Sequence, residues 1–143
     1  MAQTKALTGE GIAVTVSPMT EPYWQATRER RLVAARCTHC AHFRVPFLPF
    51  CPNCNAQEVE WVELTEPGTL YSFTFYPHPQ RETADDQTML APAIVEFAQA
   101  PGVRYAGNMI DVDTADLAIG MRVETDWIFN GDGWGLPAFR PLA

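Results

Sequence analysis

Two cysteine pairs, Cys37-Thr38-His39-Cys40 and Cys51-Pro52-Asn53-Cys54, hold every cysteine of the chain and are separated by ten residues. Each C-x-x-C turn brings two sulfurs and several backbone N–H groups to one point, and two such knuckles complete a tetrahedral set of four sulfurs. Two disulfides would need an oxidising compartment, and a redox motif would need one pair rather than two matched ones. The start Met1-Ala2-Gln3-Thr4-Lys5 has no apolar signal-peptide core, so a cytoplasmic setting and a zinc-type site are expected. Four sulfur ligands leave no open position for water, so one structural zinc per chain is expected, not a catalytic one. With that shell filled, His39 and His42 read as partly exposed loop residues. Pro52 fixes φ at the second knuckle. After each knuckle the chain needs a residue that tolerates positive φ; Asn55 suits it, whereas Ala41 would be strained, so a different closure is expected at the first knuckle.

Around the cysteines the sequence divides into three parts. Residues 1–17 contain Gly9, Gly11 and the alternating run Ile12-Ala13-Val14-Thr15-Val16; they read as a flexible arm that becomes ordered against a partner. Residues 18–65 form a helix and a ribbon. Thr20 caps the start, Pro22 fits the first turn, and a helix over about Pro22 to Arg31 places Tyr23, Trp24 and Thr27 near one face, with Arg28, Arg30 and Arg31 at its end. Leu32 to Arg36 leads into the first knuckle as a strand, and Val59 to Leu64 leaves the second.

Glu66-Pro67-Gly68 marks the next boundary by its turn chemistry, and residues 66–143 are all β by period and punctuation. Strands are expected over Thr69 to Tyr76, Leu90 to Ala98, Val103 to Ile110, Met121 to Phe129 and Trp134 to Phe139. The last reads as an edge strand because of Pro137. Asp113 to Ile119 allows one helical turn between the third and fourth strands. The fold class is therefore mainly β: a short helix and zinc ribbon followed by a five-stranded OB-type barrel. The aromatic row Tyr71, Phe73 and Phe75, with Tyr105, is expected to fill the barrel core. The 77–89 connection, with His78, reads as a solvated loop.

Charge narrows the function classes. Over all 143 residues the formal charge is -7; residues 60–143 hold 13 acidic and 4 basic side chains, and residues 1–59 hold 4 and 6, giving (-9) + (+2). An acidic barrel lacks the cationic groove that single-stranded nucleic acid requires, so an OB/zinc-ribbon nucleic-acid module is the weaker alternative. No apolar stretch approaches the ~20 residues of a membrane span. All four cysteines are assigned to metal and the histidines stand apart from any nucleophile, so no catalytic residue of the chain's own is expected.

In order and spacing, the motifs resemble a family that pairs an N-terminal helix and rubredoxin-like zinc ribbon with an OB-fold, the thirty-fifth family of domains of unknown function. The resemblance runs from about Glu21 to Pro141. It rests on Glu21-Pro22-Tyr23-Trp24, Arg31-Leu32 and the two cysteine pairs, then on Gly68-Thr69-Leu70-Tyr71-Ser72-Phe73-Thr74 and Ala91-Pro92-Ala93-Ile94-Val95-Glu96. Ile119-Gly120-Met121-Arg122-Val123 and Phe139-Arg140-Pro141 complete it. Ala41 and Asn55 depart from the glycines common after each knuckle. The resemblance implies an accessory subunit of a thiolase-like enzyme acting on acyl-CoA, whether thiolase, retro-aldolase or acyltransferase. In such assemblies the partner carries the catalytic residues, and the small subunit stabilises it and helps to form the acyl-CoA site. Arg28, Arg31, Arg44, His78 and Arg81 are then candidate contacts to coenzyme A or to the partner, with a solvated surface as the plainer reading.

Overall fold

The computed structural model describes residues 2–45 and 47–143. In chain order the elements are α1 (Glu21–Arg28), β1 (Val33–Cys37), β2 (Phe43–Arg44), β3 (Val59–Glu63), β4 (Gly68–Phe73), β5 (Tyr76–Pro77), β6 (Met89–Leu90), β7 (Pro92–Glu96) and β8 (Arg104–Met109). A 3-10 turn (Thr114–Asp116), β9 (Arg122–Phe129) and β10 (Gly135–Pro141) follow. Strands β2, β1 and β3 make the ribbon sheet, while β10, β8, β7, β4 and β9 close a barrel. All barrel neighbours are antiparallel except β8 and β10. One parallel closure in a five-stranded Greek key is the OB arrangement that the strand pattern predicted.

Helix α1 buries Tyr23, Ala26 and Thr27, the i, i+3, i+4 stripe of a helix with one covered face. Its start differs from expectation: Thr20 makes no side-chain cap, because its hydroxyl accepts the Ser17 N–H (3.0 Å) instead. Its end is a Schellman closure, with Arg31 N–H to Ala26 O and Arg30 N–H to Thr27 O, both 3.0 Å. That closure puts Arg30 at φ 59, where glycine is usual.

The helix is the seam between ribbon and barrel. Thr27 Oγ1 accepts the Gly135 N–H at 3.0 Å, and a Cβ at Gly135 would stand 2.8 Å from Thr27 O. Only glycine permits that approach. Tyr105, inside the barrel, donates its hydroxyl to Val33 O on β1 at 2.6 Å. Tyr23 packs on Trp24 (5.0 Å between centroids) and Phe47 (4.9 Å), Phe47 on Trp61 (5.0 Å), and Trp24 on Trp134 (6.5 Å). One apolar cluster accordingly runs from Tyr23 and Leu32 through Leu70 and Val95 to Phe139, so the two modules share a core.

Three expectations are corrected. Of the aromatic row, Tyr105 is buried in the core and Phe73 packs against it as expected, but Tyr71 and Phe75 do not fill it: Leu70 is fully buried, while Tyr71 and Phe75 are each 44% exposed. A bulge between Leu70 and Ser72 breaks the two-residue alternation and turns Tyr71 outward, where Arg104 stacks on its ring at 4.0 Å. Strand β10 is no edge, since it lies between β9 and β8. The Asn130 N–H to Trp134 O bond fixes the ladder so that Pro137, opposite Trp127, occupies a position owing β9 no hydrogen bond. Pairing with β8 begins one residue later, at Ala138. Finally, the first part of the 1–17 segment packs on the barrel. Thr4 N–H bonds Val112 O (2.9 Å), Lys5 N–H bonds Met89 O (3.0 Å), Thr4 and Ala6 are buried, and a side chain at Gly9 would run into Phe129 O.

Candidate metal centre

The ribbon sheet brings the two knuckles together. The four Sγ atoms of Cys37, Cys40, Cys51 and Cys54 lie within 4.8 Å of one another, and the pairs Cys37–Cys54 and Cys40–Cys51 are each 3.6 Å apart. A tetrahedron with zinc–sulfur bonds of about 2.3 Å has edges of about 3.8 Å, so the donor set fits zinc in size as well as in chemistry.

The knuckles close identically. In the first, Ala41 N–H bonds Cys37 O (3.0 Å) and Cys37 N–H bonds His42 O (2.8 Å); in the second, Asn55 N–H bonds Cys51 O (2.9 Å) and Cys51 N–H bonds Ala56 O (2.7 Å). Ala41 and Asn55 both take left-handed backbone, at φ 64 and 65. The expectation of a different first closure is thus corrected. The equal offset of four residues from Cys37 and Cys51 was the available signal, and hydrogen-bond geometry overrides the roughly 1–2 kcal/mol that a Cβ costs there. Arg44, only 5% exposed, holds the second knuckle from behind by donating to Ala56 O (3.2 Å) and Gln57 O (2.6 Å).

The polar surroundings prepare the sulfurs for a cation. The Cys40 N–H, then that of His39, hold Cys37 below the ordinary thiol range. The Asn53 side chain and the His42 N–H bring Cys40 down to about 6. At Cys54 the Ala56 N–H pulls the same way, but partial desolvation and the three neighbouring sulfurs prevail and carry it up to about 12. Four negative sulfurs at this spacing repel one another, and a bound dication removes the conflict. Cys37 and Cys51 are buried and Cys54 exposed, so the shell has one wet side. His39 and His42 are exposed.

The five other candidate residues do not converge. Arg28 stacks on Trp134 at 3.8 Å and donates to Asp132 O, while Arg31 bridges Glu29 and Glu63 at 3.2 Å. Arg44 is the knuckle brace. His78 is not in a solvated position: it is 3% exposed, with one ring nitrogen on Ala6 O and the other accepting the Gln80 N–H, both at 3.1 Å. Arg81 donates to His78 O. With Arg36 on Glu60 and Arg30 beside Asp126, several arginines of the basic half tie it to the acidic half. No helix among the described residues is long and apolar enough to cross a membrane. A groove of about 320 Å³, lined by Pro18, Pro22, Phe47, Leu48, Val59 and Trp61 among others, opens on one ribbon face; it is not legible in the sequence because its walls come from four separate segments.

Comparison with known proteins agrees with this architecture. Residues 24–60 match the family described as ChsH2, rubredoxin-like zinc ribbon domain, and residues 61–127 that described as ChsH2, C-terminal OB-fold domain. A DUF35 domain-containing scaffold protein of Methanocaldococcus jannaschii is 30% identical over 71% of this chain and 71% of its own. A Thermomonospora curvata protein named as a probable enoyl-CoA hydratase alpha subunit is 32% identical over 83% of this chain, which spans only 36% of it. Among solved structures, the Ltp2-ChsH2(DUF35) aldolase superposes with a TM-score of 0.76 and 29% identity, over 90% of this chain and 98% of the other. A Sulfolobus solfataricus protein of the DUF35 family, of unknown function, shares the fold at a TM-score of 0.63 and 15% identity, over 89% and 87% of the two chains.

Proposed function

The chain belongs to the DUF35 family of scaffold proteins, and from that premise we propose that it is a non-catalytic accessory subunit of a thiolase-like enzyme acting on acyl-CoA. The observation that carries this reading is the likeness, over nearly the full length of both chains, to a component of the Ltp2-ChsH2(DUF35) aldolase. The relative named as a hydratase alpha subunit points to the same acyl-CoA setting. In this reading Cys37, Cys40, Cys51 and Cys54 hold one zinc whose task is to fold the ribbon. The partner supplies the catalytic groups; this chain stabilises the partner and helps to form its acyl-CoA site, in the cytoplasm. Residues already engaged within the chain fit that division of labour, since the one histidine outside the ribbon uses both ring nitrogens on backbone groups. Coenzyme A phosphates or an acidic partner surface would meet the exposed Arg28 and Arg81, not the buried Arg44.

Co-expression with a thiolase-like protein of the same organism is expected to yield one co-eluting complex. Two species that migrate independently at about micromolar concentration, where specific subunits stay joined, would overturn the proposal. One observation favours the alternative, a nucleic-acid module: Tyr71, Phe75 and Tyr76 are exposed and offer stacking surfaces. Salt-sensitive binding of a single-stranded oligonucleotide is its test.

A further inference from the structure

Strand β3 is the outer strand of the ribbon sheet, with β1 on one side only. The bonds from Thr38 N–H to Glu58 O (3.2 Å) and from Leu64 N–H to Leu32 O (2.8 Å) fix the parity of its ladder. The even-numbered residues of β3 bond β1, and the N–H and C=O groups of Val59, Trp61 and Glu63 point to the free edge. None of those six groups has a hydrogen-bond partner among the described residues. Proteins commonly blunt such an edge with charge, but here Glu60 is tied to Arg36 (2.6 Å) and Glu63 to Arg31 (3.2 Å). The side chains of Val59 and Trp61 also line the apolar groove, whose wall residues Met19 and Leu48 are 40% and 45% exposed. A free edge beside an apolar groove is the chemistry that receives an added β-strand: backbone groups attach it, and the groove takes alternate side chains.

The chain carries a segment of that description. In Ile12-Ala13-Val14-Thr15-Val16, burial alternates with a period of two: Ile12, Val14 and Val16 are half-buried, and Ala13 and Thr15 exposed. Residues 13–16 make no backbone hydrogen bond among the described residues. Through Ser17 the segment leads directly into Pro18 and Met19, two residues of the groove wall. The receiving edge, through Val59 and Trp61, and the strand that fits it, through Pro18 and Met19, therefore adjoin the same groove, an arrangement open to a two-fold, self-complementary contact.

We infer that this surface is an interface between two copies of the chain, in which Ile12–Val16 of one copy adds to the free edge of β3 in the other, and reciprocally. The inference stands apart from the accessory-subunit reading, because it concerns the isolated chain. Sedimentation equilibrium of the zinc-loaded full-length protein between about 1 and about 100 μM, the range in which small interfaces assemble, is expected to show a monomer–dimer equilibrium. Val14→Pro removes a backbone donor where no hydrogen bond exists to be lost, and confines φ to a value that extended chain tolerates. It is expected to weaken dimerisation at least about tenfold while leaving monomer melting unchanged. In hydrogen exchange, the Val59, Trp61 and Glu63 amides should gain protection as concentration rises. A single monomeric mass throughout, a dimer indifferent to Val14→Pro, or protection of this edge only in the presence of another protein overturns the inference.

Discussion

Among residues with almost no exposure the ribbon has Ala34, Ala35, Cys37 and Cys51, whereas the barrel adds the large side chains of Leu70, Val95, Met109, Val123 and Phe139 to the small Ala91, Ala100 and Ala138. The first set is small or sulfur-bearing and offers little apolar area, so the ribbon's order depends on backbone turned tightly around a metal. The second set includes five large apolar side chains, and the barrel's order comes from such side chains filling a closed cylinder. Two neighbouring regions of one chain are thus stabilised by chemistry of different reach. A metal site fails as a unit when one ligand goes, whereas a packed core weakens by degrees.

The sharpest way to break this contrast is to remove the metal. A strong chelator is expected to abolish amide protection across residues 33–63, because the metal contributes directly to folding, while β7 and β8 of the barrel stay protected; equal loss in both regions would show one cooperative unit. Next in size, Leu70→Ala empties a site with 0% exposure and should lower barrel stability by about 2–5 kcal/mol, with zinc per chain unchanged by metal analysis. A smaller effect is expected at the contact that joins the regions. Tyr105→Phe leaves Val33 O without its donor and should cost about 1–3 kcal/mol in urea titration.

That same phenol gives a pH signature. Burial raises Tyr105, and likewise Tyr23, well above the ordinary phenol range. Unfolded phenols ionise near pH 10, at about their reference value, while the folded ones keep their protons. The stability is therefore fully present below about pH 10 and is lost as pH rises beyond it. Urea midpoints at about pH 9 and about pH 11 should show the fall, and Tyr105→Phe should reduce its steepness. The least effect is stabilising: Ala41→Gly relieves the left-handed strain at φ 64 and should add about 1 kcal/mol, read as slower zinc loss to a chelator. The equivalent change at Asn55, a residue suited to that backbone, should do less.

What could be read from the sequence follows the same division. The ribbon was legible because four cysteines at fixed spacing admit few geometries, and the barrel because alternation in β9, with Val123 and Trp127 buried, marks a half-covered strand. Tyr71 was misread because a one-residue bulge resets the alternation without a local mark. Strand β10 was misread because its parallel pairing to β8, from Ala138 to Asn108 and Phe139 to Met109, is a contact between distant segments. The packing of Thr4 and Ala6 escaped for the same reason: small residues near a chain start carry no pattern, and the acceptors at Val112 and Met89 lie far along the sequence. Arg44 looked like a surface cation because nothing in its neighbours announces two knuckle carbonyls waiting for a donor.

The aromatic seam has an optical consequence. All four tryptophans of the chain stand at it or beside it. Trp24 faces Trp134, Trp134 lies under the Arg28 guanidinium, Trp127 shares a cleft with Arg30, Arg31 and Leu32, and Trp61 joins the row through Phe47. Intrinsic fluorescence will consequently report the docking of helix and ribbon on the barrel and little else. A state whose emission reddens while its far-ultraviolet dichroism holds would be a barrel that has let go of its ribbon.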